Sequence, residues 1–446
     1  MPMISPAPPP SSVSAPCPTE FPRTWPQGCL VAEQPTDQAG EFPGRDELES
    51  LLASILPPAW VDAAGRGDEE ALAGLGDTID RREIVRILGR AGWVAPHYAV
   101  DHGGRGLSRS DAARALTLLN LWEVPHVPGG SGLPLAAPTI EQWASDETKS
   151  HLLPPLVSGE ERWCQLFSEP GAGSDMASLA TTAVRDGDEW IINGQKVWTT
   201  FGQSSERAML LARTDPDQPK HKGITYFGLD MHAPGVEVRP LVNMAGQHEF
   251  NEVFLTDVRV PDIDRISPLG EGWAASLTTL GAERFALSGL AKKKRKASDE
   301  ILGGKPYAEI EQLARSDARL GVVARDALMQ AYIAERVLAL SARRFRDLAA
   351  IGRTTGAEGS ITKIAKAKSN QRLQELALAL LGADAMAWDA EDAEALEWIT
   401  QFLRTRANSI EGGTSEIQRN IVGERILGLP REPDAYKGAP WRDVPR

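Results

Sequence analysis

Ser168-Glu169-Pro170-Gly171-Ala172-Gly173-Ser174-Asp175 is where residue types and spacing in this chain first suggest chemistry. It is a tight, polar, glycine-rich loop following the short apolar run Trp163–Phe167. Bare amides and hydroxyls on such a loop can hydrogen-bond to a ligand. Strand-like runs follow, broken by Asp186-Gly187-Asp188 and by Asn193-Gly194, and the second signal reads as a hairpin turn. The last run ends at Trp198-Thr199-Thr200, a flat aromatic beside two hydroxyls. Loop and strand together suit a planar, hydrogen-bonding ligand. A surface turn and a core tryptophan would account for the same residues, and taken alone the two readings stand level.

A second such stretch lies near the far end, Ile410-Glu411-Gly412-Gly413-Thr414-Ser415-Glu416-Ile417-Gln418-Arg419-Asn420. Its paired glycines let the backbone approach a ligand closely, and Thr414-Ser415 can cap the helix that follows.

Taken in order, these stretches closely resemble the acyl-CoA dehydrogenase family, and the resemblance covers about Arg45 to Pro430, including Gly423-Glu424-Arg425-Ile426-Leu427-Gly428-Leu429-Pro430. It implies that Phe167, Ser168, Gly173, Ser174, Trp198, Thr200 and Thr414 contact FAD, with Ser174, Gly412 and Arg284 facing substrate. It also implies a reaction: an acyl-CoA thioester loses a Cα proton to a base and a Cβ hydride to the flavin. A thioester α-proton is a weak acid, so the site needs a base within reach and donors on the carbonyl oxygen. A carboxylate serves as that base when a dry pocket raises its pKa.

Many family members carry the catalytic Glu directly before Gly-Thr. Here that position is Gly412, and Glu411 stands one residue early. Another subset uses a Glu on a helix that opens the C-terminal bundle, in a Glu-Arg context. Gly281-Ala282-Glu283-Arg284-Phe285 occupies that place. Glu283 is therefore the candidate base and Glu411 the reserve, against the simpler reading that Glu283 merely pairs with a neighbouring Arg. The Gly412 amide remains available to polarise the thioester oxygen.

Two family features have no good match. The Arg-x-x-Phe-Gly segment that contacts the FAD of a neighbouring subunit corresponds to Ala297–Pro306 (ASDEILGGKP), and the Gln-Gly-Gly segment to Ala379–Ala383. The expected assembly is thus a homo-oligomer with loosely held FAD or a heteromer with a second dehydrogenase-like chain, passing electrons to an electron-transfer flavoprotein or similar acceptor. Two alternatives are a non-catalytic partner subunit and a flavin oxidase or monooxygenase on the same fold.

The elements that must position these residues follow from pattern. A chain of 446 residues exceeds what one core usually supports. Residues 1–44, rich in Pro and Ser, read as a disordered tail without the features of a secretory signal. Helical periodicity marks 45–160, with Asp80–Gly92 one helix, Ser108 capping another and Asp146 a third. Gly103-Gly104-Arg105-Gly106 reads as a connection, since no Lys-Ser or Lys-Thr closes it as a phosphate loop. Short strands mark 161–272, a β-domain of sandwich or barrel type in which Cys164 is a small core side chain. Long helices return over 273–430, among them Tyr307–Ala349, with wide apolar stripes as in a four-helix bundle open to symmetric packing. A short tail, 431–446, completes an α+β architecture.

With a net charge of -13, the chain is no general nucleic-acid binder. No apolar run approaches the roughly 20 residues that span a membrane. Three cysteines without metal-ligand spacing fit a reducing compartment, and the expected location is cytoplasmic. Lys292-Lys293-Lys294-Arg295-Lys296 reads as a solvated helix face rather than a nucleic-acid or CoA-phosphate contact.

Overall fold

The computed structural model describes residues 39–287, 303–316, 321–351, 353, 357–385 and 393–445; Cys17, Cys29 and the Lys292–Lys296 run lie outside them. Among the described residues seven helices come first: α1 (Arg45–Ile55), α2 (Pro58–Arg66), α3 (Glu69–Gly74), α4 (Arg81–Arg90), α5 (Arg109–Leu121), α6 (Ala137–Trp143) and α7 (Asp146–Val157). Side-chain caps set several of their starts. Asp80 accepts from the amides of Arg82 and Glu83, and Ser108 accepts from Asp111 as expected. Ser145, not Asp146, caps α7 by accepting from Thr148. Asp146 instead sits in the first turn, where its charge complements the helix dipole. Leu48, Leu52, Trp60, Leu88, Trp93, Leu119, Ile140 and Leu152 form the core between these helices. The Gly103–Gly106 connection closes over that core. A side chain at Gly104 would meet the Tyr98 carbonyl at 2.2 Å, and the Arg105 guanidinium stacks 4.0 Å from the Trp93 ring.

The middle of the chain is one curled seven-stranded sheet: β1 (Trp163–Leu166), β2 (Thr182–Asp186), β3 (Glu189–Thr200), β4 (Arg207–Arg213), β5 (Ile224–Asp230), β6 (Val236–Leu241) and β7 (Phe250–Pro261). The order is β1-β4-β2-β3-β7-β6, with β5 paired to β4. The hairpin turn lies at Asp186-Gly187-Asp188, between β2 and β3. Asn193-Gly194 makes no turn; β3 runs straight through it. Here the pair marks a bulge, at which Asn193 and Asp257 exchange two hydrogen bonds of 2.9 and 3.0 Å. Gly194 is required because a Cβ would meet the Thr181 hydroxyl at 2.3 Å. Cys164 packs inside the sheet, where burial pushes its thiol up to about 12. That makes it an inert core residue.

Among the described residues six helices follow: α8 (Gly272–Leu287), α9 (Tyr307–Ser316), α10 (Val322–Ala350), α11 (Glu358–Leu381), α12 (Ala393–Thr405) and α13 (Ser415–Arg425). The expected helix Tyr307–Ala349 is two. Tyr307 and Tyr332, 25 residues apart, bring their rings within 5.7 Å. In one continuous helix they would stand roughly 37 Å apart at 1.5 Å per residue. α9 therefore folds back along α10, and Ile310, Ala314, Leu328, Leu376, Ala377 and Trp398 close the core around α11. The C-terminal segment then returns to the sheet. Trp441 donates its amide to the Gln218 carbonyl (2.9 Å), and its ring lies 4.2 Å beneath the Arg213 guanidinium. Among the described residues no helix is long and apolar enough to cross a membrane, and no cluster could hold a metal ion.

Candidate active site

The glycine-rich loop leaves β1 and is clamped at both ends. At its start Phe167 is buried, its ring edge-on to Tyr226 at 5.6 Å. The Val197 amide of β3 donates to the Ser168 carbonyl (3.0 Å). Beneath the loop lies a buried ion pair. Lys196, fully buried on β3, donates to Glu169 (2.8 Å) and to the Phe167 carbonyl (3.2 Å). Glu169 also accepts from the amides of Ala180 (2.7 Å) and Thr181 (2.9 Å). Burial alone would raise the Glu169 pKa; the Lys196 charge and these hydrogen bonds outweigh it and hold the carboxyl below its usual range. At the far end buried Arg213 donates to the carbonyls of Ala177 (2.7 Å) and Leu179 (3.1 Å).

Between the clamps Gly171, Gly173 and Ser174 face solvent, and a Cβ at either glycine would meet nothing. Next to them Asp175 accepts from Ser178 (2.6 Å) and Lys220 (2.9 Å).

Trp198 stands beside this loop on a second bulge of β3, between Lys196 and Thr199. Upstream, the even-numbered residues Trp190, Ile192 and Lys196 point inward; the bulge reverses the phase, so Thr199 is buried and Trp198 is 60% exposed. Trp198 adopts φ +61, which is costly for a bulky side chain, of order 1–3 kcal/mol. Its ring is held edge-on by Phe250 at 5.7 Å. Half-buried Thr200 follows, paired with Phe250 across the ladder. A large exposed indole, a strained backbone that presents it, and an open loop of small residues fit a flat, polar-edged group of the flavin kind.

The second diagnostic stretch is a turn with both glycines at positive φ, +62 for Gly412 and +88 for Gly413. Thr414 caps α13 by accepting from the Ile417 amide (3.3 Å). Gln418 donates to the Gly412 carbonyl (2.9 Å), and Lys363 of α11 to the Gly413 carbonyl (2.6 Å). Glu411 is engaged on both oxygens: Asn408 donates to one (2.9 Å) and Arg404 to the other (3.0 Å). Arg404, buried on α12, also reaches Glu249 (2.7 Å), just ahead of Phe250. The chain thus links Trp198 to the diglycine turn through Phe250, Glu249, Arg404 and Glu411.

Glu283 sits half-buried on α8, and its charge bears on Lys363, as do those of Glu411 and Glu416. The side chain of Arg284 lies outside the described residues. So the structure gathers the sequence-chosen residues in two groups, the loop with Trp198 and Thr200, and Glu283 with Gly412 to Thr414. Sequence reasoning missed the buried cations Lys196, Arg213, Lys363 and Arg404. For Lys196 a signal existed: it falls on the inward phase of an alternating strand, where a lysine needs a carboxylate partner.

Family models for the acyl-CoA dehydrogenase N-terminal, middle and C-terminal domains match residues 69–160, 164–258 and 270–427. The chain is 36% identical to acyl-CoA dehydrogenase IpdE1 of Mycobacterium tuberculosis over 396 residues, covering 86% of this chain and 99% of that one. A solved structure, the Tcur3481-Tcur3483 steroid ACAD, is 26% identical with a TM-score of 0.63, covering 87% of this chain and 97% of that chain. The ChsE4-ChsE5 complex from Mycobacterium tuberculosis is also 26% identical, with a TM-score of 0.61, covering 91% of this chain and 100% of the matched one. Helices, curled sheet and helices in this order therefore form an oxidoreductase of a known type. The chain belongs to the acyl-CoA dehydrogenase family.

Proposed function

We propose that this chain is an FAD-dependent dehydrogenase that desaturates an acyl-CoA thioester between Cα and Cβ. The observation that carries the reading is Trp198, strained, exposed and braced beside an open glycine-rich loop. Phe167, Ser168, Gly173, Trp198, Thr200 and Thr414 would hold the flavin, which when bound accepts the hydride from Cβ. Ser174 would meet the substrate at the exposed part of the loop. Glu283 takes the Cα proton. Glu411 is the poorer base, since Arg404 and Asn408 already occupy its oxygens. The diglycine turn supplies amide donors to the thioester oxygen, where negative charge develops as the proton leaves.

The test is spectroscopic. Purified protein supplied with FAD should bleach anaerobically on addition of one of octanoyl-CoA, isobutyryl-CoA or cholan-24-oyl-CoA, the last chosen because a steroid ACAD is among its structural relatives. FAD-loaded protein that keeps its colour with all three would count against the reading. Rapid reoxidation by air would favour an oxidase instead.

The assembly we propose is oligomeric. The described part of the segment where relatives reach a neighbouring FAD is occupied within this chain. The Gly303 carbonyl accepts from Asn370 (3.0 Å), the Gly304 amide donates to Gln401 (2.5 Å), and the Lys305 amide to Gln374 (3.0 Å). On α10, Ile333, Val337 and Leu340 expose apolar side chains that a partner chain would cover. Chromatographic sizing with the flavin-to-chain ratio should give a homo-oligomer with sub-stoichiometric FAD, or a heteromer once a second dehydrogenase-like chain is co-expressed. A monomer with one full FAD per chain would sink both forms, and a fully loaded homotetramer would remove the heteromer.

A further inference from the structure

We infer that Lys363 is a positioning residue for the proton-abstraction step, acting through the diglycine turn and through the charge it places among three carboxylates. The inference rests on the dehydrogenase reading above.

Consider first the peptide planes. In a trans peptide the C=O and N–H point in opposite directions. Gln418 fixes the Gly412 carbonyl from behind, so the Gly413 N–H of the same peptide points away from Gln418. Lys363 fixes the Gly413 carbonyl, so the Thr414 N–H points away from Lys363. The two anchors aim consecutive amides outward from the turn, and each glycine, at positive φ, lets them do so. Gln418 and Lys363 are both buried. They differ in charge, and that difference matters to the chemistry.

A buried ammonium hydrogen-bonded to a carbonyl polarises that peptide, making its N–H a stronger donor to an oxygen that is gaining negative charge. The same ammonium faces Glu283 from α8, Glu411 from the turn and Glu416 from α13, with Arg404 of α12 offsetting Glu411. Burial lowers the Lys363 pKa below the usual lysine value, and the three carboxylates offset only part of that. Glu283 accepts a proton only when ionised, and Lys363 is a cation on which its charge bears. One cation thus acts on the base and stiffens the turn that carries the donors for the thioester oxygen.

Two variants separate these effects. Lys363→Met removes anchor and charge, whereas Gln418→Leu removes a neutral anchor from the same turn. Amide hydrogen exchange over residues 408–420 reports the turn without needing activity. Exchange of the Cα hydrogen of the most active thioester of the panel with D2O reports proton abstraction. Both variants should loosen the turn. Lys363→Met should also slow Cα exchange by about 10²-fold and move its acid limb to higher pH, because losing a nearby cation raises the pKa of the base. Lys363→Arg should keep that limb near the wild-type position, and Lys363→Gln, uncharged like the Met variant, carries the comparison with Gln418→Leu should Lys363→Met not fold. Turn protection unchanged in Lys363→Met would overturn the proposal. So would an acid limb that moves equally in Gln418→Leu and in the uncharged Lys363 variant, in neither, or as far in Lys363→Arg as in that variant. If the wild type exchanges no Cα hydrogen with any thioester of the panel, the dehydrogenase reading falls, and amide exchange alone then decides whether Lys363 holds the turn.

Discussion

Glu283→Gln should slow reduction of the bound flavin by about 10²–10⁴-fold, the range expected when a general base is removed. Glutamine keeps the size of the side chain and its place on α8, so flavin content and thermal stability should stay near wild type. Single-turnover reduction, followed as loss of flavin absorbance after mixing with a panel thioester, measures the step directly. The comparison that gives the result its meaning is Glu411→Gln. Glu411 ties Asn408 and Arg404 to the diglycine turn, so its loss should loosen the turn and cost less in rate than loss of the base. If Glu411→Gln abolishes reduction while Glu283→Gln reduces normally, the base is Glu411 and the α8 assignment is wrong. Equal modest losses would point to a base supplied elsewhere.

Much of this architecture was legible in the sequence because hydrophobic period changes along the chain. The strands fall within the stretch where alternation and turn residues placed them, and Ser108 and Thr414 cap α5 and α13 as their types predict. Asn193-Gly194 misled because the same dipeptide serves a hairpin or a bulge. The choice between them is made by Asp257, far along the chain, and by Thr181, just ahead of β2. The split of Tyr307–Ala349 was invisible for a related reason. Continuous helical periodicity does not show that a helix folds back on itself; the tertiary pairing of Tyr307 with Tyr332 does.

The site divides in the same way. Gly-rich loop, Trp198 and the paired glycines stand out as types, but what holds them does not. Glu169 read only as one acidic residue of a polar loop, whereas in the fold it is the buried partner of Lys196. Likewise Arg404 joins Glu249, just ahead of β7, to Glu411 of the turn, 162 positions apart. Long-range charge pairing of this kind leaves no local pattern.

Lys196→Met tests the largest of these hidden interactions. The substitution leaves the Glu169 carboxylate buried with two amide donors and no counter-charge. Breaking a buried pair in this way costs about 3–5 kcal/mol. The pH dependence should also change sign. In the wild type the Glu169 pKa is depressed, so its contribution to stability is present above the ordinary carboxylate range and is lost as pH falls through the folded value. Without Lys196 burial becomes the dominant influence, the Glu169 pKa rises, and protonation relieves the unpaired charge. The deficit of Lys196→Met relative to wild type should therefore be greatest near pH 8 and shrink towards pH 5. Thermal melts across that range, with hydrogen exchange over residues 168–181, measure it. Adding Glu169→Gln to Lys196→Met should recover part of the loss, since the charge that burial penalises is gone. Were the deficit independent of pH and the double variant no better than the single, the pair would matter only as packing. The ion pair beneath the loop would then have no part in holding Ser168 and Trp198 in register.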